Sequence, residues 1–506
     1  MKPVIRLLVP LAMLALSACG GGSSSSPSSP PTTSYTIGGT LSGLLGGRTV
    51  ILQVIGGDSL TLTSNGAFQF SSAIASGTVY TVAVSSQPGG LNCAVTNASS
   101  TATANISNVT VTCTSNNVAS VSVGTFPSDV SQDDFNVPLV TVTVCSPQGT
   151  CKPFQVLVDT GSSGLRLMGS SLSAAGLTLP KEADPANASN SFYECAYYAD
   201  GYAWGSVNTA TVEILAANGT VAETTADIPV QVITASNPTV PTSCINGSPG
   251  GPTNLNTPDS FSADGVLGVG IGAQDCGSAC VSSPLYYFSC SSTSGCLANA
   301  TATTVSLQSQ VINPVTAFGA DNNGSAIQFP AIPASGALSA TGTLTFGVGT
   351  QADNALGGAV VLPITAANLS QSPMYISTNF QGTAEDGIID SGSNALYFAD
   401  SSLAASLCMQ TSASFYCPTT TQNLTATNSS GATSSQVSFS IANLDSLHSA
   451  NPSFYAFNDV GGPLAPVNGV SYFDFGLPFF FNRTVFTIIE GSSVGGTSYA
   501  QGAFAY

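Results

Sequence analysis

Residues 156–163 read VLVDTGSS and residues 387–393 read GIIDSGS, so one short pattern occurs twice in the chain. In both copies a run of branched apolar residues ends in Asp, a hydroxyl residue, Gly and Ser. The apolar run predicts a buried strand, and the glycine permits a tight turn that presents the aspartate at the strand end. One such turn is common. Two of them predict a pair of similar lobes in which the carboxylates of Asp159 and Asp390 meet.

The composition favours a mainly β protein and argues against a nucleic-acid partner. The chain has 506 residues, a length that allows about three domains. Of these residues 43% are apolar, which is enough to form packed cores. Many short apolar runs lie between turn signals, a pattern typical of strands. Only 7 Lys and Arg stand against 25 Asp and Glu, so no basic surface for nucleic acid is expected. With a single His and no Cys/His cluster, neither a metal site nor a cofactor is expected.

The N-terminal residues predict export and lipid attachment. A basic start at residues 1–6 precedes an apolar stretch at 7–16 that is too short to span a bilayer. The sequence LSACG that ends at residue 20 resembles the lipobox of bacterial lipoproteins, and an ordinary secretory signal is the alternative. The resemblance implies a signal peptide over residues 1–18 and lipidation of Cys19. Acyl chains would then attach the protein to a bacterial membrane, expected to be the outer one, with the folded part periplasmic or surface-exposed.

The cysteine count agrees with an oxidising compartment. Without Cys19, twelve of the 13 cysteines remain, an even number. Proximity in the chain leaves Cys195 with Cys244, and exchanges within residues 276–296 stay open. The other expected pairs are Cys93–Cys113, Cys145–Cys151, Cys276–Cys280, Cys290–Cys296 and Cys408–Cys417.

The chain divides into five expected segments. The signal peptide is followed by a Gly/Ser/Pro linker over residues 19–34, expected to be disordered. Residues 35–116 contain short strands separated by turn signals and predict a small β-sandwich, similar to the immunoglobulin-like modules of bacterial surface proteins, with a spacer role. Residues 117–335 and 336–506 form the two expected lobes. Short helices are expected at 170–175 and 400–409.

Five ordered elements within residues 136–506 resemble the pepsin-like aspartic endopeptidases. Each element is weak alone, but their order and spacing together are specific. The resemblance implies a mainly β, bilobal fold, preceded here by the sandwich. The elements are VDTGSSGLRL at 158–167, YYADGYAWG at 197–205, ADGVLGVG at 263–270, IIDSGSNALYF at 388–398 and FGLPFFFNRTVF at 475–486.

The resemblance also assigns roles to residues. Asp159 and Asp390 would form the catalytic dyad, which shares one proton because two close carboxylates cannot both ionise. Tyr198 would close over a bound peptide, together with Asp200 and Gly201 of the same hairpin. The implied supporting residues are Thr160 and Ser391, which would tie the two loops together, Gly161 and Gly392, which would allow close approach, and Ser162 and Ser393, which would bind the outer carboxylate oxygens.

Two residues depart from the family pattern. Arg166 stands where family members commonly have a Trp that partners the flap Tyr, and an ion pair or cation–π contact of Arg166, with Asp200 as a partner, is expected instead. Trp204 is expected to be either a replacement partner for the flap or a core anchor, with neither favoured.

These observations predict a monomeric, lipid-anchored extracytoplasmic aspartic endopeptidase acting on polypeptides through a water activated by two aspartates. The alternative is an inactive pepsin-fold surface lipoprotein that binds peptide or another surface component. Both Asp turns are intact, which favours the enzyme, whereas Arg166 and the unusual flap favour the alternative.

Overall fold

The computed structural model describes residues 33–44, 49–88, 91–131, 134–216, 219–234, 239–365, 370, 374–412, 414–467 and 469–506. The expected signal peptide and Cys19 lie outside these residues, as does almost all of the expected linker. None of the helices in the described ranges is long and apolar enough to cross a membrane.

A small β-sandwich comes first in the described chain. One four-stranded sheet has the order β5-β2-β10-β8, and a second has the order β4-β3-β7-β9. Alternate residues of β3 are buried between them, as expected for strands with one face on a core. The strands are β1 (Ser34–Tyr35), β2 (Ile37–Ser42), β3 (Val50–Val54), β4 (Ser59–Leu62), β5 (Gly66–Gln69), β6 (Ile74–Ala75), β7 (Val79–Ser86), β8 (Leu91–Thr96), β9 (Ser99–Thr101) and β10 (Ile106–Ser115).

The expected sandwich is confirmed, with one correction at its start. Strand β1 begins at Ser34, the last residue assigned to a disordered linker, because its backbone pairs with β6. Strands β2 and β10, the first and last long strands of the sandwich, pair in parallel. Their residues Ile37, Val109 and Val111 are fully buried.

Strands of the first lobe follow the sandwich directly. They are β11 (Val118–Val123), β12 (Leu139–Cys145), β13 (Cys151–Asp159), β14 (Ser163–Met168), β15 (Ala183–Asp184), β16 (Asn187–Tyr198), β17 (Gly201–Leu215), β18 (Val221–Thr224), β19 (Ile228–Ile233), β20 (Gly265–Val269) and β21 (Tyr287–Ser291).

The remaining strands complete the sheet between the lobes and build the second lobe. They are β22 (Gly324–Phe329), β23 (Ala340–Phe346), β24 (Val361–Pro363), β25 (Ile376–Phe380), β26 (Thr383–Ile389), β27 (Leu396–Phe398), β28 (Gln422–Ser430), β29 (Thr433–Ile441), β30 (Gly461–Pro463), β31 (Tyr472–Phe475), β32 (Arg483–Ile488), β33 (Ser492–Val494), β34 (Thr497–Tyr499) and β35 (Ala503–Ala505).

Helices in the described ranges are few and short. The α-helices are α1 (Gly169–Ala174), α2 (Thr242–Gly247), α3 (Ser278–Ser282) and α4 (Leu444–Ala450). Single 3₁₀ turns cover Pro258–Ser260, Leu307–Ser309, Pro314–Ala317 and Leu477–Phe480.

The two lobes repeat one strand arrangement around their aspartates. In the first lobe β13, which ends at Asp159, pairs in parallel with β20, and β14 pairs antiparallel with the same strand. In the second lobe β26, which ends just before Asp390, pairs in parallel with β31, and β27 pairs antiparallel with it. The repeated apolar-Asp pattern of the sequence is therefore also a repeat of topology.

A continuous sheet connects the lobes. β11 pairs with β23, β23 with β22, and β22 with β32, so strands from distant parts of the chain lie side by side. The aromatic segment at 479–481 is buried in the large core that spans both lobes. The prediction of a mainly β, bilobal, pepsin-like fold preceded by a sandwich is confirmed.

One expected helix is absent. Residues 400–409 form turns, whereas α1 covers the other helix expected at 170–175. The carboxylate of Asp400 accepts the backbone N–H groups of Ser402 and Leu403. Cys408 is held by a disulfide, and the Met409 N–H binds Asp445. These side-chain and disulfide contacts replace the i to i−4 ladder that a helix needs.

Candidate active site

Asp159 and Asp390 face each other where the two lobes meet. A methyl group at Gly161 would lie 2.6 Å from Asp390 Cγ, and one at Gly392 would lie 2.7 Å from Asp159 Oδ1. Each turn therefore passes directly against the carboxyl of the other lobe, and only glycine leaves enough room. The two carboxyls are therefore close neighbours across the junction of the lobes.

Each carboxyl is held by its own turn in the same way. Oδ1 of Asp159 accepts the Gly161 N–H at 2.8 Å, and Oδ1 of Asp390 accepts the Gly392 N–H at 2.8 Å. The second oxygen of each accepts a serine hydroxyl. Ser162 donates to Asp159 Oδ2 in a short contact, and Ser393 donates to Asp390 Oδ2 at 2.9 Å.

Thr160 and Ser391 tie the two turns together. Thr160 Oγ1 donates to the Ile389 carbonyl at 2.8 Å and accepts the Ser391 N–H at 2.9 Å. In return, Ser391 Oγ donates to the Val158 carbonyl at 2.7 Å and accepts the Thr160 N–H at 3.1 Å. Both side chains are buried, so these four bonds fix the separation of the aspartates.

The surroundings favour one shared proton. Burial, and then the neighbouring charge of Asp159, raise the pKa of Asp390 well above the ordinary value of an aspartate. Carboxyls in contact titrate as a pair, because ionisation of one opposes ionisation of the other. The arrangement can therefore present one acid and one base side by side.

A β-hairpin of the first lobe lies near the aspartates. β16 and β17 pair from Tyr193 to Tyr198, and Asp200 lies at the exposed turn between them. Burial raises the pKa of Tyr198, the Arg166 charge opposes this rise, and the Asp159 charge adds to it. The Tyr198 ring packs edge-on against Phe261. Its hydroxyl is buried without a hydrogen-bond partner in the described ranges.

Neighbouring segments fasten this hairpin. Cys195 is bonded to Cys244 of α2. The Tyr202 N–H donates to the Thr253 carbonyl at 2.9 Å, and a methyl group at Gly201 would lie 2.3 Å from the same oxygen. Gly201 is thus the contact point between the hairpin and residues 250–255.

Arg166 does not pair with Asp200, which corrects the expectation. Its guanidinium is 2.6 Å from Glu194 Oε1 and 3.2 Å from Asp275 Oδ2, and it donates to the Ser163 carbonyl at 2.8 Å. Arg166 is buried, whereas Asp200 is on the exposed hairpin turn. A buried cation requires buried partners, and β16 supplies one in Glu194.

The ion-pair cluster contains one cation and two carboxyls. Burial, and then the charge of Glu194, raise the pKa of Asp275 well above its ordinary value. Tyr287 donates to Asp275 Oδ1 at 2.7 Å. The cluster joins strand β14, strand β16 of the hairpin and the segment before Cys276.

Trp204 is a core residue. It is 1% exposed, stacks on Tyr193 with ring centroids 5.7 Å apart, and meets Phe288 edge-on. Of the two expectations for this residue, the geometry corresponds to the core anchor.

A third carboxyl beside the aspartates was missed by sequence reasoning. Asp474 lies on β31, and its Oδ2 is 2.7 Å from Ser393 Oγ. A signal was present: residues 472–475 read YFDF, with a single acid inside an aromatic strand. Asp474 directly precedes the segment at 475–486 and so lies outside the five elements.

Six disulfides join the described cysteines. They are Cys93–Cys113, Cys145–Cys151, Cys195–Cys244, Cys276–Cys280, Cys290–Cys296 and Cys408–Cys417. The pairing within residues 276–296, which the sequence left open, is thus between neighbours. The sulfurs of Cys408 and Cys417 lie near Asp445, but as a disulfide they are not available to ligate a metal.

Two lobes of repeated topology, each contributing one Asp turn to a shared site, define a mainly β, pepsin-like fold with two facing aspartates. The chain belongs to the family described as a protein of unknown function, DUF3443, whose model matches residues 113–506. This range contains both lobes and leaves most of the sandwich outside it. A search of curated proteins found no match.

Among solved structures, the chain is similar to a crystal structure of an aspartic proteinase from Irpex lacteus. The two are 18% identical, with a TM-score of 0.42. The alignment covers 76% of this chain and 97% of that chain.

Proposed function

We propose that this protein is an aspartic endopeptidase that hydrolyses peptide bonds with a water activated by Asp159 and Asp390. The observation that carries the proposal is the pair of facing carboxyls, each held by a glycine N–H and a serine hydroxyl. A binding protein has no need of two buried acids that oppose each other's ionisation, because such a pair is costly to fold.

The raised pKa of Asp390 supports a division of roles. The pair carries one proton, and in the proposed reaction Asp390 acts as the acid and Asp159 as the base. Asp159 takes a proton from a water, whose oxygen attacks the carbonyl carbon of the scissile bond, while Asp390 donates its proton to the carbonyl oxygen. As the tetrahedral intermediate collapses, the carbon–nitrogen bond breaks and the leaving nitrogen receives the proton held by Asp159. Asp390 recovers its proton from the intermediate's hydroxyl.

The hairpin supports polypeptide as the substrate. Tyr198 lies beside the turn of this hairpin with a buried hydroxyl that has no hydrogen-bond partner in the described ranges, and its proposed role is to cover the reacting atoms and exclude water. An extended peptide would lie between this hairpin and the dyad.

The proposed location is a bacterial envelope, with Cys19 as a lipid anchor and the folded part periplasmic or surface-exposed. Six disulfides support an oxidising compartment. In this arrangement the sandwich separates the lobes from the membrane. Mass spectrometry of the mature N-terminus tests the anchor, since an unmodified cysteine or an uncleaved signal would exclude it.

The decisive experiment measures proteolysis by the chain from Ser34 onward. Casein hydrolysis is followed between about pH 3 and 7, a range that brackets the titration of such a pair. We expect Asp159→Asn and Asp390→Asn each to lower the rate by about 10³-fold or more, since each removes an acid–base group. Asp227→Asn, at an exposed carboxyl, is the control and should keep the wild-type rate.

Two outcomes would contradict the proposal. Cleavage that persists in either dyad variant would remove the assignment of the two aspartates. Absence of cleavage by a folded wild-type protein over the whole pH range would instead favour a peptide-binding protein with the same fold. Circular dichroism of each variant shows that the fold is retained.

A further inference from the structure

Asp474 lies beside the two aspartates and has no part in the reaction described above. A single hydroxyl links it to the dyad: Ser393 Oγ is 2.9 Å from Asp390 Oδ2 and 2.7 Å from Asp474 Oδ2. The other oxygen of Asp474 is buried and has no hydrogen-bond partner among the described residues. Asp474 and Asp390 therefore compete for one serine.

The number of hydrogens decides how this contact is made. A hydroxyl carries one hydrogen, so Ser393 can donate to only one of its two carboxyl neighbours. If neither Asp390 Oδ2 nor Asp474 Oδ2 carried a hydrogen, both would accept, and one of the two contacts would lack a hydrogen. A protonated Asp474 resolves this, because it donates to Ser393 Oγ while Ser393 donates to Asp390.

The surroundings of Asp474 favour its neutral form. The groups that face it are the carboxyls of Asp159 and Asp390 and, from flanking segments, the phenols of Tyr375 and Tyr397. Burial raises the pKa of Asp474 to about 8; the Ser393 hydrogen bond opposes the rise and the charge of Asp159 adds to it. All four neighbours are neutral or negative, so none of them stabilises an Asp474 anion.

Only the second lobe has this acid. Asp474 pairs with Ile388, two residues before Asp390, and the equivalent pair in the first lobe is Val266 with Leu157. Val266 is fully buried. The repeated strand arrangement thus forms with an apolar residue at this position, and the fold does not explain the carboxyl.

We propose that Asp474 is a positioning residue, which keeps its proton and donates it as a hydrogen bond to Ser393, so that the Ser393 hydroxyl is committed to Asp390. The inference rests on the proposed hydrolase function. The proton stays on Asp474 throughout the reaction, and no bond to it forms or breaks. Its effect is to hold Asp390 in one orientation with one fixed donor.

A kinetic cycle tests the link through Ser393. Loss of one ordinary hydrogen bond changes a rate by about tenfold, so we expect Asp474→Val and Ser393→Ala each to lower kcat by about tenfold with KM nearly unchanged. The double variant should be no slower than Ser393→Ala, because both changes break the same contact. Val is chosen because the first lobe carries it at the equivalent position.

Two further variants complete the test. Asp474→Asn retains a donor to Ser393, so kcat should stay within about twofold of wild type at the acid optimum. Ser162→Ala is the matched change in the first lobe, and its effect should add in full to that of Asp474→Val. Additive loss in the Asp474→Val/Ser393→Ala pair would overturn the proposal. A change in KM confined to substrates with a basic side chain would also overturn it, and would make Asp474 a substrate contact.

A readout without substrate separates this inference from the proposed function. In protein labelled with ¹³C at aspartate carboxyls, wild type should show one carboxyl with a midpoint near pH 8 that is missing in Asp474→Asn. If that signal is present and no peptide is cleaved, Asp474 is protonated as proposed, and the proposed hydrolase function is wrong. If Asp474 titrates like an exposed aspartate, the inference fails whatever the activity.

Discussion

Gly161 and Gly392 show how single residues set the geometry of the site. Neither has an unusual positive φ, so conformational freedom is not the reason for glycine here. The reason is space, because each backbone lies against the opposite carboxyl. The Asp-Thr/Ser-Gly-Ser pattern is thus a steric requirement of two turns that approach one another.

A methyl group at position 392 tests this requirement. In Gly392→Ala the new carbon would lie 2.7 Å from Asp159 Oδ1 and 2.9 Å from its Cγ, so the carboxyl must move. A displacement on the order of 1 Å costs about 100-fold in rate, and we expect kcat/KM for peptide hydrolysis to fall by at least that factor.

Gly358→Ala provides the control for this substitution. A methyl group there meets nothing within 4 Å, so the activity should equal that of wild type. If Gly392→Ala were as active as Gly358→Ala, the turns would have more freedom than the structure gives them.

Among elements, the flap hairpin differs most from the sequence-based expectation. Its strand β16 carries Glu194, and the ion pair of Glu194 with Arg166 joins this strand to β14. The hairpin is fastened again by Cys195–Cys244 and by the contact of Tyr202 with Thr253. These contacts hold the hairpin both along strand β16 and close to its turn, where Gly201 and Tyr202 meet residues 250–255.

Removal of the Arg166 charge should destabilise this element. Arg166→Met leaves Glu194 buried without its cation, and breaking a buried pair in this way costs about 3–5 kcal/mol. Urea unfolding followed by the fluorescence of Trp204, the single Trp of the chain, measures the loss near the cluster.

Two further variants give this prediction its comparison. Lys181→Met changes an exposed cation of the same lobe and should cost no more than about 1 kcal/mol. Adding Glu194→Gln to Arg166→Met should restore part of the stability, since the unpaired charge is then absent. Equal losses for Arg166→Met and Lys181→Met would show that the cluster contributes little.

At the scale of the whole molecule, buried acids couple stability to pH. Burial raises the pKa of Glu385 to about 7 and that of Asp459 to about 6. For Asp445, hydrogen bonds from residues 409–411 outweigh burial and lower the pKa to about 2. Glu385 and Asp459 are neutral at acid pH, and their ionisation at higher pH places a charge in a buried site. Asp445 instead stabilises the fold only while it is ionised.

The sign of the pH dependence follows from these shifts. The stabilising contribution of Glu385 and Asp459 to the free energy of unfolding is complete below about pH 4. It is lost as the pH rises through 6 to 7. The contribution of Asp445 is complete above about pH 4 and is lost as the pH falls through 2. We therefore expect the melting temperature to be highest near pH 4–5 and to fall on both sides, as measured by calorimetry.

Glu385→Gln should flatten the alkaline side of this profile. Glu385 is 3% exposed, and its shift corresponds to about 3 kcal/mol between pH 4 and pH 8. In Glu385→Gln the melting temperature should therefore fall less between pH 4 and pH 8 than in wild type. Asp353→Asn, at an exposed carboxyl, should show the same fall as wild type. An unchanged slope in Glu385→Gln would place the pH dependence in other groups.

Much of the fold was predictable because its signals are local. The apolar runs ending at Asp159 and Asp390 form strands, since an alternating or continuous apolar run has few other solutions. The repeat of the pattern by itself indicates two related lobes. Pairing of nearby cysteines followed from short separations in the chain.

Other features depended on contacts between distant segments. The turn structure at 400–409 depends on Asp445 and on the disulfide to Cys417, neither of which lies within the segment. Propensity within that window favoured a helix, and the long-range contacts outweighed it.

The sequence by itself determined the two aspartate turns, the strands that end in them and the bilobal, mainly β plan. Tertiary structure alone decided that Arg166 meets Glu194, that Trp204 lies in the core and that Asp474 shares Ser393 with Asp390. The physical reason is that a turn is specified by its own few residues. The partner of a buried charge or hydroxyl is instead specified by which strands become neighbours, and those strands lie far apart in the chain.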